Sequence, residues 1–244
     1  DVETNRICVW SIPFPLGHDT EQCTECCRAT QHYFIFADDW GWGDLSCHGH
    51  PYVKTPNIDR LAREGTDFHC FTVASGVCSP SRTAVMTGHF PARYNINGHF
   101  AWVDQNARRN MPDWLNPAAP LLPRMLQQAG YMTGHFGKWH LNGLRGPGVP
   151  ILKTDANHPG KYGFTEWVSV TNFFDLDPLM SRQGKFEQFY GDSSDITVLE
   201  ALKLIEEQAT AEKPFLAVIW YGSPHNPQRA LKEDRREFNN TKMA

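Results

Sequence analysis

The sequence predicts an α/β fold, built on a mostly parallel sheet that helices cover on both faces. Residues 33–37 and 215–220 are short, wholly apolar runs, which are typical of strands buried on both sides. Between them, residues 195–208 carry apolar side chains at helical spacing, namely Ile196, Leu199, Leu202 and Ile205. Strands that alternate with helices usually form a parallel sheet, so these elements favour this fold class.

Residues 57–64 are predicted to form the first helix. Thr55-Pro56 precedes this segment and Gly65 follows it, which is the usual order of residues around a helix. The inner face of this helix is expected to comprise Ile58, Leu61 and Ala62.

The later segments continue the alternation of strands and helices. A second strand is predicted over residues 68–73, a helix over 121–129, and a further strand over 131–136. Residues 143–163 are rich in glycine and proline and are interpreted as a loop.

The composition argues against two classes of partner. The 244 residues include 41% hydrophobic and 20% charged side chains, with a formal net charge of −4, which is an ordinary globular balance. No basic run indicates a nucleic-acid surface, and no apolar stretch reaches the length of a membrane span. Neither nucleic acid nor a membrane is therefore an expected partner.

Residues 1–32 differ in character from the rest of the chain. They mix prolines, polar residues and the cysteine cluster Cys23, Cys26 and Cys27. We interpret them as an atypical, poorly ordered N-terminal extension, and residues 33–244 as the folded domain. The cysteines could form half of a zinc site, but no matching Cys or His pair follows closely, so no zinc is expected there.

Chemically active side chains recur just after the predicted strands. The residues in question are Asp38, Asp39, Cys78, Lys138, His140 and His225. In open α/β sheets, the carboxyl ends of the strands are where ligands bind. The sequence therefore predicts that these side chains share one active site.

Asp38 and Asp39 are adjacent carboxylates, which repel each other unless a cation lies close to them. Their hard oxygen atoms suit Ca²⁺ or Mg²⁺. An isolated Asp-Asp pair is more often a solvated turn. This pair follows an apolar strand and precedes a Gly-Trp-Gly-Asp turn, so we favour a metal site.

Cys78 begins a segment that predicts a short helix. Pro80 suits the first helical position and Gly88 suits the C-terminal cap. Cys78 would then lie beside free backbone amides, with Arg82 one turn further on, which is a good arrangement for binding an oxyanion. A lone cysteine in such a position is more often a buried structural residue.

Lys138, His140 and His225 could supply charge and proton transfer. A lysine is a compact positive charge, and a histidine can move a proton near neutral pH. Taken singly, Lys138 would more often be a surface lysine, His140 a satisfied polar residue and His225 a turn histidine between prolines.

Taken together, these motifs resemble those of the type I, formylglycine-dependent sulfatases, in particular the arylsulfatase and N-acetylgalactosamine-6-sulfatase-like members. Residues 78–88 match the signature Cys-x-Pro-Ser-Arg-x-x-x-x-Thr-Gly, and residues 38–44 resemble the first metal-binding segment. Residues 137–140 (Gly-Lys-Trp-His) and 223–227 (Ser-Pro-His-Asn-Pro) resemble later family signatures. The resemblance covers roughly residues 33–227 and implies an alkaline-phosphatase-like fold.

The resemblance also implies the cofactors. A formylglycine-generating enzyme would oxidise Cys78 to Cα-formylglycine, and the signature residues after Cys78 are the part that this enzyme reads. Asp38, Asp39 and the converted Cys78 would bind a divalent cation, usually Ca²⁺ and alternatively Mg²⁺.

The catalytic roles that the resemblance implies follow from this site. A hydroxyl of the hydrated aldehyde would attack sulfur, while Lys138 neutralises the sulfate oxygens and Arg82 holds the converted residue. His225 would help protonate the leaving alcohol, and His140 would take a proton from the second hydroxyl so that sulfate is expelled.

By the same resemblance, the chain corresponds to the N-terminal part of a sulfatase, with the C-terminal part missing. Sulfatases continue with an Asp-Asn metal-binding pair and a further sulfate-binding lysine, and no such segment follows His225. The implied substrates are sulfated sugars or aryl sulfates. The implied location is secreted, periplasmic or lysosomal.

Two other interpretations stay open. One is a phosphodiester or phosphonate monoester hydrolase of the same superfamily, some of which also use a formylglycine. The other is a non-catalytic remnant that lacks part of the metal shell.

Overall fold

A six-stranded sheet forms the centre of this computed structural model, which describes residues 30–143 and 151–238. The strands are β1 (His32–Phe36), β2 (Met132–Lys138), β3 (Glu166–Val170), β4 (Leu179–Arg182), β5 (Lys185–Gln188) and β6 (Phe215–Trp220). Their spatial order is β1-β6-β2-β3-β4-β5, in which the first four run parallel and β4 and β5 are antiparallel. The predicted α/β class with a mostly parallel sheet is confirmed.

The helices of the described part connect these strands. They are α1 (Pro56–Glu64), α2 (Cys78–Thr87), α3 (Val103–Arg108), α4 (Leu122–Gln128), α5 (Ser193–Thr210) and α6 (Lys232–Arg235). Short 3₁₀ turns occur at Trp42–Asp44, Ser46–His48, Pro91–Tyr94, Pro159–Tyr162 and Arg236–Phe238. In the ranges that the structure describes, no helix is both long and apolar enough to span a membrane.

Strand β6 divides the core into two layers because its side chains point alternately to opposite faces. One layer contains Leu216, Val218 and Trp220 together with Met86 of α2. The other contains Phe215, Ala217 and Ile219 together with Ile196 and Leu204 of α5. Every side chain of β6 is buried, so the centre of the sheet is covered on both faces as predicted. The edge strand β1 is not buried on both sides as predicted, because Tyr33 and Ile35 are 51% and 58% exposed.

The predicted strand over residues 68–73 is wrong. This segment has no regular structure, and Phe68, Phe71 and Val73 are 65%, 74% and 52% exposed. A strand needs a neighbour to satisfy its backbone, and none of the described strands pairs with this segment. The apolar pattern therefore marks an exposed surface rather than a core strand.

The helix faces differ from the predicted ones, although the helices themselves are confirmed. No side chain of α1 is buried, and Leu61 is 67% exposed. In α5, Leu199 is 58% exposed, whereas Ala201 and Leu204 are buried. In α5 the predicted positions repeat every three residues, whereas a helix repeats every 3.6 residues, so a row with this spacing turns away from the core face.

Two predictions fall wholly or partly outside the described residues. Of the N-terminal extension assigned to residues 1–32, residues 1–29 with their cysteine cluster lie outside. Of the predicted loop over 143–163, residues 144–150 lie outside, and the described remainder is loop with one 3₁₀ turn.

Candidate active site

The predicted site residues lie near the carboxyl ends of the parallel strands. Asp38 follows β1, Lys138 ends β2 and His225 follows β6, while Cys78 begins α2. The backbone amide of Asp38 donates a hydrogen bond to the carbonyl of Ser223 at 3.1 Å. This bond joins the loop after β1 to the loop after β6, so two of the motifs meet directly.

A buried cluster of three charges occupies this edge of the sheet. Asp38, Lys138 and Arg82 are 4%, 1% and 0% exposed. The Lys138 ammonium donates to Oδ2 of Asp38, and Nη2 of Arg82 lies 3.6 Å from the same oxygen. Burial, together with the charge of Arg82, lowers the pKa of Lys138, which Asp38 counteracts. Two cations on one carboxylate leave a net positive charge that can attract an oxyanion.

Arg82 is fixed from several sides. Its Nη1 donates to the backbone carbonyl of Lys138 at 3.0 Å. Its guanidinium lies 4.6 Å from the ring centroid of Trp220 and 5.5 Å from that of Phe36. Because aromatic faces attract cations, these rings stabilise a charge that water does not reach. The guanidinium is therefore held rigidly behind Lys138.

Cys78 is the first residue of α2, so this helix begins two residues earlier than predicted. Val77 is the N-cap, so Pro80 occupies the third helical position and not the first as predicted. Gly88 ends the helix with φ of 68° and donates to the Ala84 carbonyl at 2.8 Å, as expected of a C-terminal cap. Pro80 is tolerated because backbone amides in the first turn have no helical partner.

The thiol of Cys78 is half-buried and free. Burial raises the pKa of this thiol, and Asp38 adds to the effect, while Lys138 and Arg82 oppose it. Cys78 is therefore a neutral thiol near neutral pH, which is a poor nucleophile. The thiol of Cys78 is therefore within electrostatic reach of the buried cluster.

His140 is buried and neutral. Its side chain is 1% exposed, its φ is 43°, and its amide donates to the Thr171 carbonyl at 2.7 Å. Burial, together with the charge of Lys138, holds the pKa of this imidazole well below its ordinary range. Its Nε2 lies 3.0 Å from the Phe100 carbonyl oxygen, and Nδ1 has no hydrogen-bond partner within the described chain.

Asp39 and His225 form the outer part of the site. Asp39 has φ of 58°, a conformation that aspartate adopts more readily than most residues, and its side chain is 53% exposed. Nε2 of His225 lies 3.7 Å from Oδ2 of Asp39. The His225 ring also packs at 5.0 Å from that of Phe173. His225 is thus placed beside one of the two predicted metal ligands.

The candidate metal ligands offer the oxygen atoms that calcium prefers, but there are fewer of them than calcium usually binds. Across residues 30–143 and 151–238, no group of three or more His, Cys, Asp or Glu side chains could hold a metal ion. Asp38 and Asp39 supply hard oxygen donors, whereas calcium prefers roughly six to eight oxygen ligands. The thiol sulfur of Cys78 does not suit calcium, but an oxygen at this position would.

Three residues of the site escaped the sequence analysis. Phe173 lies 5.8 Å from the Lys138 ammonium, and Asn172 is 2% exposed with an unpaired Oδ1. Both follow β3, and the run Trp-Val-Ser-Val at 167–170 could have indicated that strand. Phe100 contacts His140 from a loop, where no local pattern indicates a role.

Comparison with known sequences supports one family. A family sequence model described as Sulfatase matches residues 33–244. The chain is 34% identical over 224 residues to N-acetylgalactosamine-6-sulfatase of Sus scrofa, covering 81% of this chain and 40% of that protein. It is 38% identical over 153 residues to steryl-sulfatase of Mus musculus, covering 62% of this chain and 24% of that protein.

Solved structures give the same result. Ps i-CgsB in complex with k-i-k-neocarrahexaose is similar with a TM-score of 0.73 and 26% identity, covering 88% of this chain and 49% of that one. BT4656 in complex with its substrate D-glucosamine-2-N, 6-O-disulfate has a TM-score of 0.70 and 26% identity, covering 88% and 39%. The chain therefore spans half or less of the proteins that it matches here.

Proposed function

Because this chain belongs to the sulfatase family, we propose that it hydrolyses sulfate esters with a formylglycine made from Cys78 and a bound calcium ion. The observation that carries the proposal is the buried cluster in which Lys138 and Arg82 share the carboxylate of Asp38. Cys78 is within electrostatic reach of this cluster, because the charges of all three residues shift the pKa of its thiol. A net positive pocket next to the converted residue is what a sulfate group requires.

Lys138 acts on the sulfate oxygens, while Arg82 holds residue 78 and balances the local negative charge. Both side chains are buried, so their charges are screened less than charges in water and act strongly on a bound anion. Contacts with Trp220 and with the Lys138 carbonyl fix the position of Arg82. Arg82 in turn fixes the position of Lys138 relative to residue 78. Positive charge is thus fixed in advance where negative charge grows during the reaction.

The two histidines divide the proton transfers between them. His225 is partly exposed beside Asp39, so it can donate a proton to an alcohol that leaves toward solvent. His140 is buried and neutral, so it can accept a proton from the converted residue 78. Their different environments match these opposite roles.

Asp38 and Asp39 would hold the cation, with calcium as the first choice and Mg²⁺ as the alternative. When present, the cation would neutralise sulfate charge, and the formylglycine would supply the attacking oxygen. Residues 33–244 would then form a catalytic domain, or part of one.

The proposed partners are a formylglycine-generating enzyme and a sulfated sugar or aryl sulfate. Pro80, Ser81 and Arg82 are buried in the folded chain, so an enzyme that reads them would have to act before folding. The similar proteins include an N-acetylgalactosamine-6-sulfatase and one whose substrate is D-glucosamine-2-N, 6-O-disulfate, so a sulfated amino sugar is the first candidate. The proposed location is secreted, periplasmic or lysosomal.

The test uses the chain co-expressed with a formylglycine-generating enzyme, with conversion measured by mass spectrometry. Aryl sulfate, aryl phosphate and phosphodiester substrates with the same leaving group are compared. We expect sulfate release from the wild type, none from Cys78→Ala, and undiminished release from the control Cys47→Ala, which replaces an exposed free cysteine.

Two outcomes would overturn the proposal. Turnover of phosphodiesters without turnover of sulfate esters would assign the chain to the phosphodiesterase alternative. A folded, converted chain that cleaves neither substrate and gains no thermal stability from calcium would be a non-catalytic remnant.

A further inference from the structure

Phe100 connects Ser79, at the start of α2, to His140 at the end of β2. The Phe100 amide donates to Oγ of Ser79 at 3.0 Å, and the Phe100 carbonyl oxygen lies 3.0 Å from Nε2 of His140. Ser79 and Phe100 are 0% exposed and His140 is 1% exposed. Both hydrogen bonds are therefore shielded from bulk water.

The Phe100 carbonyl determines which ring nitrogen of His140 carries the proton. A carbonyl oxygen can only accept a hydrogen bond, so Nε2 of His140 must be the donor. Burial keeps the pKa of His140 low, so the ring is neutral and Nδ1 carries no proton. The charged groups that act on His140 are Lys138, Arg82 and His99, all of which disfavour a protonated ring.

We propose that Ser79 is a positioning residue that, through Phe100, keeps His140 in the Nε2–H tautomer and leaves Nδ1 as its proton acceptor. The backbone of His140 is fixed from the other side by the Thr171 carbonyl. Only the Phe100 carbonyl fixes its ring by a hydrogen bond within the described residues. Ser79 directly follows Cys78, so one turn of α2 positions both the reactive residue and its base.

The tautomer follows from the hydrogen bond to Phe100 and from the burial of the ring, whereas its use in the reaction rests on the proposed function. Replacing Ser79 with alanine leaves the Phe100 amide buried without an acceptor, which is costly. The Phe100 residue then shifts toward another acceptor, and its carbonyl no longer holds Nε2 of His140. We expect both ring tautomers to appear as a result.

The direct test is nitrogen-15 NMR of the chain labelled at its histidine rings, with His140 assigned from its absence in His140→Gln. In the wild type we expect a protonated Nε2 and a bare Nδ1. Ser79→Ala should give a mixture of tautomers, and Ser79→Thr, which keeps the hydroxyl, should restore one. The control Ser81→Ala replaces another buried serine of the same turn and should leave the ring unchanged.

Two results would overturn the inference. One is a wild-type His140 that carries its proton on Nδ1, a result that depends on no variant. The other is a folded Ser79→Ala chain whose His140 signals match those of the wild type.

A kinetic measurement extends the test to the reaction. In chains matched for conversion at residue 78, Ser79→Ala should lower kcat by about tenfold to a hundredfold, because a positioned base contributes at least that much, while KM changes little. An unchanged kcat would show that Ser79 does not contribute to the rate of the reaction. If the wild type is inactive but its tautomer changes in Ser79→Ala, the proposed function fails and the positioning of His140 stands.

Discussion

The ammonium of Lys138 contacts the carboxylate of Asp38, although 100 residues separate the two in sequence. Arg82 approaches the same oxygen at 3.6 Å. The charge of Asp38 is therefore more than balanced by the protein itself, before any ligand binds. Under the proposed function, this positive charge is in position before a sulfate ester binds.

Replacing Lys138 with methionine should destabilise the chain and abolish activity. Among the described residues, it leaves the buried Asp38 carboxylate with only the longer contact to Arg82, and breaking a buried ion pair costs about 3–5 kcal/mol. Urea unfolding measures the change. The control Lys203→Met removes a lysine that is 64% exposed and paired with Glu200, and it should cost less than about 1 kcal/mol. Equal effects of the two substitutions would contradict this prediction.

Gly137→Ala should displace Lys138. Gly137 has φ of 102°, and an added Cβ would overlap the carbonyl oxygen of Trp220. Strain of this kind costs about 1–3 kcal/mol, and the overlap should also move the end of β2. The melting temperature and the rate of sulfate release should both fall. Gly43→Ala is the matched control because a Cβ there meets no atom within 4 Å, and a loss of the same size in this variant would refute the argument.

The chain should lose stability as the pH rises through the pKa of His48. Its ring stacks on Trp42 at 3.5 Å, and its two nitrogens lie 2.9 Å from the Trp42 carbonyl and 3.0 Å from the Asp67 carboxylate. The hydrogen bond to Asp67 raises the pKa of His48 above its ordinary range. A raised folded-state pKa gives stability that is complete below the unfolded-state pKa, about 6.5, and lost above the folded-state value.

The measurement for His48 is the melting temperature as a function of pH from 6 to 8, roughly the range in which a histidine titrates. His48→Gln should flatten this dependence, whereas His32→Gln, on the edge strand β1, should leave it in place. A wild type whose melting temperature does not fall over this range would rule the effect out.

Asp39→Asn should remove calcium-linked stabilisation while leaving the calcium-free chain nearly unchanged. The Asp39 carboxylate is 53% exposed and lies 3.7 Å from His225, so its loss costs little by itself. Asparagine also tolerates the positive φ of this position. Calcium titration during thermal unfolding measures the linkage. Asp104→Asn, an exposed aspartate paired with Arg108, is the control, and a wild type insensitive to calcium would contradict the proposed site.

The sequence predicted the elements that carry strong local patterns. Strands β1, β2 and β6 and helices α1, α4 and α5 lie within about two residues of their predicted positions, because apolar runs or flanking proline and glycine residues mark these segments in the sequence. Strands β4 and β5 were missed because each has only four residues and an edge position gives β5 a mostly exposed pattern. The exposed segment around Phe71 looked like a strand because composition alone does not show whether a partner exists.

The residues of the candidate site that carry charge could be predicted from motifs in the sequence. The residues that only hold them in position could not. Asp38, Lys138 and Arg82 belong to recognisable motifs, and the structure brings them together. Phe100 acts through its backbone, which is identical in every residue, so no side-chain pattern could identify it. Trp220 lies in β6, where an apolar residue is expected at every position because the strand is buried. Its contact with the Arg82 guanidinium could therefore not be predicted from the sequence.

The position of β6 sets the order in which a newly made chain can assemble this pocket. Of the strands in residues 30–143 and 151–238, β6 comes last in sequence, yet it lies between β1 and β2. A chain emerging from the ribosome exposes Asp38, Cys78 and Lys138 long before the strand that joins their elements has been synthesised. Contacts over such sequence distances form slowly, and domains complete their folding only when all their strands are present. A nascent chain interrupted before residue 215 would lack the whole charged pocket rather than a single strand.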